Sequence, residues 1–99
     1  MNDNTMKELG IRLKELRDER ELTLDMVVYD IDQKYHIEIN KGNLSRWESG
    51  KRIPTLRFAA YLCMYYNVSL DYLMGLTDCK TPSDLLAKKN KKTQEPEKG

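Results

Sequence analysis

The residues with the clearest chemical potential lie between positions 41 and 57. Lys41, Arg46, Lys51, Arg52 and Arg57 stand there against one acid, Glu48, giving this stretch a net charge of +4 in a chain whose formal net charge is +1. Between and beside the cations sit Asn40, Asn43 and Ser45, short side chains able to donate or accept hydrogen bonds, and Gly42, which has no side chain. Ammonium and guanidinium groups mixed with amides and a hydroxyl suit contact with a polyanion. The flanks sharpen the contrast: residues 1–40 hold six bases against ten acids, and residues 58–79 add two more acids with no base. A polyanion meeting such a chain is drawn to one place and repelled elsewhere, so the encounter is oriented. Charge alone is equally met by a solvated face, and without further evidence that reading is preferred.

Other chemistry finds less material. Cys63 and Cys79 are far apart and match neither a disulfide framework nor a Cys-x-x-Cys redox site, and His36, the single histidine, joins them in no zinc-like spacing. No nucleophile–base pair or carboxylate dyad stands out, so neither an enzyme, a metal site nor a cofactor is expected. No apolar run approaches the roughly 18 residues that cross a bilayer, so no membrane association is expected, and without a recognisable leader the expected compartment is the cytoplasm. With 99 residues, 39% hydrophobic and 33% charged, the chain suits one small domain.

The elements that must position the basic stretch follow from periodicity and capping residues. Met6, Leu9, Leu13 and Leu16 recur at helical spacing, which predicts an amphipathic helix from about Thr5, as N-cap, to about Glu19, with Leu22 as a buried anchor beyond it. Thr23 is placed to cap a second helix with Asp25 against its dipole and Val27, Val28 and Ile31 as its buried stripe, ending near residues 33–35. His36-Ile37-Glu38-Ile39 then alternates with a period of two, predicting extended chain with two apolar pegs. Asn40 caps a short third helix that Gly50 stops. Leu44 and Trp47 share one face of it, while Lys41, Gly42, Ser45 and Arg46 lie towards the other. Trp47 is read as core rather than as a stacking platform.

Pro54 keeps a connector extended before Thr55 caps a fourth helix bearing Leu56, Ala59, Leu62, Cys63 and Tyr66, with Asn67 as its stop. A fifth, Leu70 to Met74, opens at Val68–Ser69 and closes at Gly75. Thr81-Pro82-Ser83-Asp84 looks like a further helix start, giving a short helix over about 82–88, and the basic tail beyond it, lacking apolar residues, is expected to be disordered. Tyr61, Tyr65 and Tyr72, with Leu85 and Leu86, are candidates for a subunit contact, with ordinary half-buried tyrosines as the alternative.

Leu44-Ser45-Arg46-Trp47-Glu48-Ser49-Gly50-Lys51-Arg52-Ile53-Pro54 closely resembles the end of the recognition helix and following loop of the Cro and lambda-repressor type helix-turn-helix family, also called the XRE family. Leu13 to Arg17 looks like that family's first helix, and Asn67 to Gly75 like its fourth-to-fifth helix corner, so the resemblance spans about residues 7–78. Lys34-Tyr35-His36-Ile37 is similar to a segment of some Gram-positive phage repressors. The resemblance implies an all-α, five-helix, lambda-repressor-like DNA-binding domain over residues 1–78, followed by the short helix and tail of 79–99. Its turn is lengthened by about six residues near Asp32–Ile39 relative to the family's helix-turn-helix.

The resemblance also implies roles. Lys41 and Arg46 correspond to base-contacting positions of the third helix, where Lys or Arg donates to guanine O6 and N7, with a phosphate contact as the fallback for Arg46; beside them Asn43 can donate to base or phosphate, and Gly42 either permits close approach or is only a local concession to sterics. Asn40 is implied as a cap first and a backbone contact second. Thr23, Ser45, Lys51, Arg52 and Arg57 are implied as the remaining contacts to the sugar-phosphate backbone. The family's phosphate-touching Gln is replaced by Leu24, leaving that contact to Thr23 or a backbone N–H. Arg17 and Glu48 correspond to a structural ion pair between the first and third helices. The implied partner is double-stranded DNA, bound by a homodimer that represses transcription from a palindromic operator. A protein-interaction module such as an antitoxin is the alternative.

Overall fold

A computed structural model describes residues 3–81 of the chain. It holds five helices in the order α1 (Asp3–Glu19), α2 (Leu24–Tyr35), α3 (Lys41–Glu48), α4 (Leu56–Tyr66) and α5 (Leu70–Leu73), with no strand among the described residues. The short helix expected over 82–88, the disordered tail, Leu85 and Leu86 lie outside the described residues.

Side-chain caps start four of the helices. Thr23, Asn40, Thr55 and Ser69 each adopt extended backbone and accept the amide N–H three residues on, satisfying a donor that the first helical turn leaves unpaired. Left-handed residues end them. Glu21, His36 and Asn67 take φ of 55°, 57° and 56°, and Gly50 and Gly75 take 77° and 79°. After α3 the closure is a Schellman motif: Gly50 N–H donates to the Trp47 carbonyl at 3.3 Å and Lys51 N–H to the Arg46 carbonyl at 3.0 Å.

Two boundaries differ from the sequence expectation. α1 begins at Asp3, two residues before Thr5, because neither Asp3 nor Asn4 interrupts a helix; Thr5 is therefore inside the helix rather than its cap. α5 ends at Leu73 with Met74 as its C-cap, since the left-handed Gly75 already draws the last carbonyls into a tighter turn.

One core is formed by Leu9, Leu13 and Leu16 of α1, Val27 and Ile31 of α2, Leu44 and Trp47 of α3, and Leu62, Tyr66, Val68, Tyr72 and Leu73 from the C-terminal half. Ile37 and Ile39 join it from the irregular link between α2 and α3, where His36 is left-handed rather than extended because it caps α2, and the link is pegged to the core by alternate side chains. Val28 and Leu22 pack against this core only partly buried. Tyr72 is buried, which removes it from the expected aromatic surface patch, because α5 turns it onto the guanidinium of Arg12, 4.5 Å from the ring centroid.

Arg12 does more than pack. It donates to the backbone carbonyls of Tyr72 and Thr77 at 3.0 and 2.9 Å and pairs with Glu8 and Asp78, fastening the segment after α5 along α1. The segment is held again at its end, where Ser69 N–H donates to the Lys80 carbonyl at 2.7 Å and Lys80 Nζ reaches Glu19. No helix among the described residues is long and apolar enough to cross a membrane.

Candidate nucleic-acid interface

Burial divides α3 into two faces. Leu44 and Trp47 are 1% and 5% exposed, and Trp47 also packs on Phe58 with ring centroids 5.7 Å apart. Lys41, Ser45 and Arg46 are exposed, and Gly42 and Asn43 are half-buried. A helix of eight residues thus spends its apolar side on anchoring and leaves a polar, cationic side to solvent.

Anchoring is reinforced from α1. A Cβ on Gly10 would stand 2.6 Å from both the Trp47 and Glu48 carbonyl oxygens, so only a glycine lets the helices meet this closely. Next to that contact, Arg17 Nε and Nη2 donate to the two carboxylate oxygens of Glu48, each at 2.8 Å, while Nη1 donates to the Leu22 carbonyl. The Glu48 hydrogen bonds raise the Arg17 pKa above its ordinary value, against the opposing effect of burial. The one acid of the basic stretch is therefore turned inward and neutralised.

On the outer face Asn40, Asn43, Arg46 and Lys41 are each arranged by a neighbour. Asn40 Oδ1 accepts Asn43 N–H at 3.2 Å, the cap expected of it. Asn43 Oδ1 in turn accepts from Arg46 Nη1 at 2.9 Å. A Cβ on Gly42 would come within 2.9 Å of Asn40 Oδ1 and 3.5 Å of the Arg46 guanidinium, so the glycine keeps room for both the cap and the arginine. Lys41 Nζ lies 3.2 Å from Asp25 Oδ2, linking the first turns of α2 and α3.

Beyond α3, both the Lys51 and Arg52 amides donate to the Arg46 carbonyl, at 3.0 and 3.3 Å. Two exposed cations are thereby tethered to the end of the helix carrying Arg46. Ser49 Oγ donates to the same carbonyl at 3.2 Å. Thr23 is exposed at the start of α2, where its hydroxyl accepts Met26 N–H and is thereby committed to the cap. Arg57 is exposed in the first turn of α4, and no hydrogen bond or ion pair among the described residues joins it to the α3 cluster. A shallow hollow opens between Lys14, Leu24 and Ser45, floored by the Arg17–Glu48 pair.

Sequence reasoning missed Asp25 as the partner of Lys41. It assigned Asp25 only to the α2 dipole, and a separation of 16 residues across a turn carries no periodic signal. It missed Gly10 as well, although a glycine inside an amphipathic helix is itself a signal of close approach.

The chain belongs to the helix-turn-helix domain family, whose pattern matches residues 10–78. That span runs from the glycine that admits α3 to the segment clasped by Arg12. Among individual proteins, the chain is similar to a Bacillus subtilis (strain 168) protein named as the uncharacterised HTH-type transcriptional regulator YobD, with 32% identity over 71 residues. The match takes in 72% of this chain and 58% of that protein, so the chain spans less than two thirds of its relative's length. No solved structure matches the chain.

Proposed function

We propose that the chain is a sequence-specific double-stranded DNA-binding transcriptional regulator that lays α3 in the major groove. The observation that carries this reading is the division of α3: Leu44 and Trp47 are buried while Lys41 and Arg46 stand outward, with Lys51 and Arg52 tethered to the Arg46 carbonyl. A face built this way matches the needs of groove recognition, with donors for base edges on the helix and cations for phosphate just past its end. Lys41, Asn43 and Arg46 are assigned to base edges and Gly42 to close approach. Asn40, Thr23, Ser45, Lys51, Arg52 and, more peripherally, Arg57 are assigned to the backbone. Residues 1–78 form the DNA-binding unit, with 79–99 appended to it.

The regulator acts as a repressor by occupying a palindromic operator as a homodimer, because one eight-residue helix spans only a few base pairs. The subunit contact is assigned to an apolar groove lined by Ile53, Leu56, Leu70 and Met74. Leu56 is 73% exposed there, and Ile53 directly follows Arg52 in the chain. A two-fold contact through this groove buries matching apolar surface from each copy. Tyr61 and Tyr65 are less suited: Tyr61 packs on Tyr35, and the Tyr65 hydroxyl is committed to Asp30 at 2.6 Å.

Selection of bound sequences from random duplex DNA tests the reading. Enrichment of a two-fold-symmetric motif is the expected result. Absence of any enriched motif, with a protein co-purifying instead, would replace it with a protein-interaction module of the same fold.

A further inference from the structure

We propose that Asp25 is a positioning residue for base recognition, acting through Lys41; this rests on the DNA-binding reading above. Lysine is an ammonium on a flexible four-carbon stem, and much of its rotamer freedom is lost when it is held against one base edge. The structure supplies a device that removes that freedom beforehand. Asp25 Oδ2 lies 3.2 Å from Lys41 Nζ, holding the stem across the gap between the first turns of α2 and α3.

Three features let this exposed pair act on a bound duplex. An ammonium has three donors, so one can stay on Asp25 while the others reach guanine O6 and N7. The side chains are 74% and 57% exposed, leaving Lys41 open to a ligand while paired. Glu48, at the other end of α3, is engaged by Arg17 Nε and Nη2, whereas Asp25 is the carboxylate paired with Lys41 in the first turn.

Asp25 also discourages the wrong contact. A lysine freed from it can swing to a phosphate and strengthen binding to any sequence, and a carboxylate at this edge repels phosphates. Asp25 therefore favours matched DNA by ordering Lys41, while its charge opposes the phosphates of either duplex alike.

The test uses Asp25→Asn in the full chain. Two duplexes are compared: the sequence enriched by the wild type, and the same sequence altered at the base pair whose preference Lys41→Gln erases. Asp25→Asn is expected to weaken matched binding roughly two- to fivefold, the scale of one exposed ion pair, and to strengthen altered-duplex binding. In a Lys41→Gln background the matched-site loss should vanish, which a merely structural role for Asp25 would not produce. An equal loss on both duplexes, an unchanged ratio, or a matched-site loss that persists without Lys41 overturns the proposal. If the wild type enriches no sequence, the DNA-binding reading fails and this proposal fails with it, a result distinct from those three.

Discussion

Arg17 and Glu48 are joined by two parallel hydrogen bonds of 2.8 Å, and their side chains are only 14% and 7% exposed. This pair clamps the C-terminal end of α3 to α1 and withdraws the only acid of the basic stretch from the outer face. Removing either partner leaves a charge in a poorly solvated place. Arg17→Ala and Glu48→Ala should each lower the unfolding free energy by roughly 3–5 kcal/mol, whereas Arg17→Met combined with Glu48→Leu should recover most of it. Denaturant midpoints of the four chains check this. Equal losses in the single and double variants would show that geometry other than the charge pair sustains the junction.

Gly10→Ala should destabilise by about 1–3 kcal/mol, since the new methyl meets backbone carbonyls that cannot rotate aside. Because those carbonyls belong to Trp47 and Glu48, the displacement falls on α3. DNA affinity should therefore drop even at temperatures where circular dichroism reports a folded chain. Full affinity in a folded Gly10→Ala protein would mean that α3 tolerates being pushed outward.

Lys41→Ala and Arg46→Ala should each relax the preference at one base pair, by about 1–3 kcal/mol of discrimination. Lys51→Ala and Arg52→Ala should weaken all sequences alike and reduce the salt slope of binding by about 0.9 for each phosphate no longer neutralised. Titrations at several salt concentrations on matched and altered duplexes separate the two groups. A changed motif in the Lys51 and Arg52 variants would reassign those residues to the bases.

For the proposed homodimer, Leu56→Glu should raise the dissociation constant by roughly tenfold or more, because a leucine-sized apolar side chain contributes about 1.5–3 kcal/mol on burial. Sedimentation equilibrium reads the change directly. The monomer should keep its fold, as Leu56 is exposed within one chain. An unaltered dimer would place the subunit contact elsewhere.

Much of this architecture is legible without coordinates because it is local. Thr23, Asn40, Thr55 and Ser69 each satisfy an amide three residues away, and Asn67, Gly50 and Gly75 end helices through their own backbone preference. Leu44 and Trp47 turn inward together because three residues bring side chains to one face of a helix. Ile37 and Ile39 peg the link as alternate side chains. Arg17 and Glu48, 31 residues apart, were legible only through resemblance to a family, since no periodicity couples such positions.

The amino-acid order by itself determined the caps of α2, α3 and α4, which side of α3 is apolar, and that cations concentrate around it. Those are properties of residues within about one helical turn of each other. Tertiary structure alone decided that Asp25 holds Lys41, that Arg12 clasps a segment 60 to 66 residues away, that Tyr72 is buried, and that Ile53 and Leu56 line a groove beside the cationic loop. These contacts arise when helices pack, and packing depends on the summed shape of several surfaces rather than on any spacing along the chain.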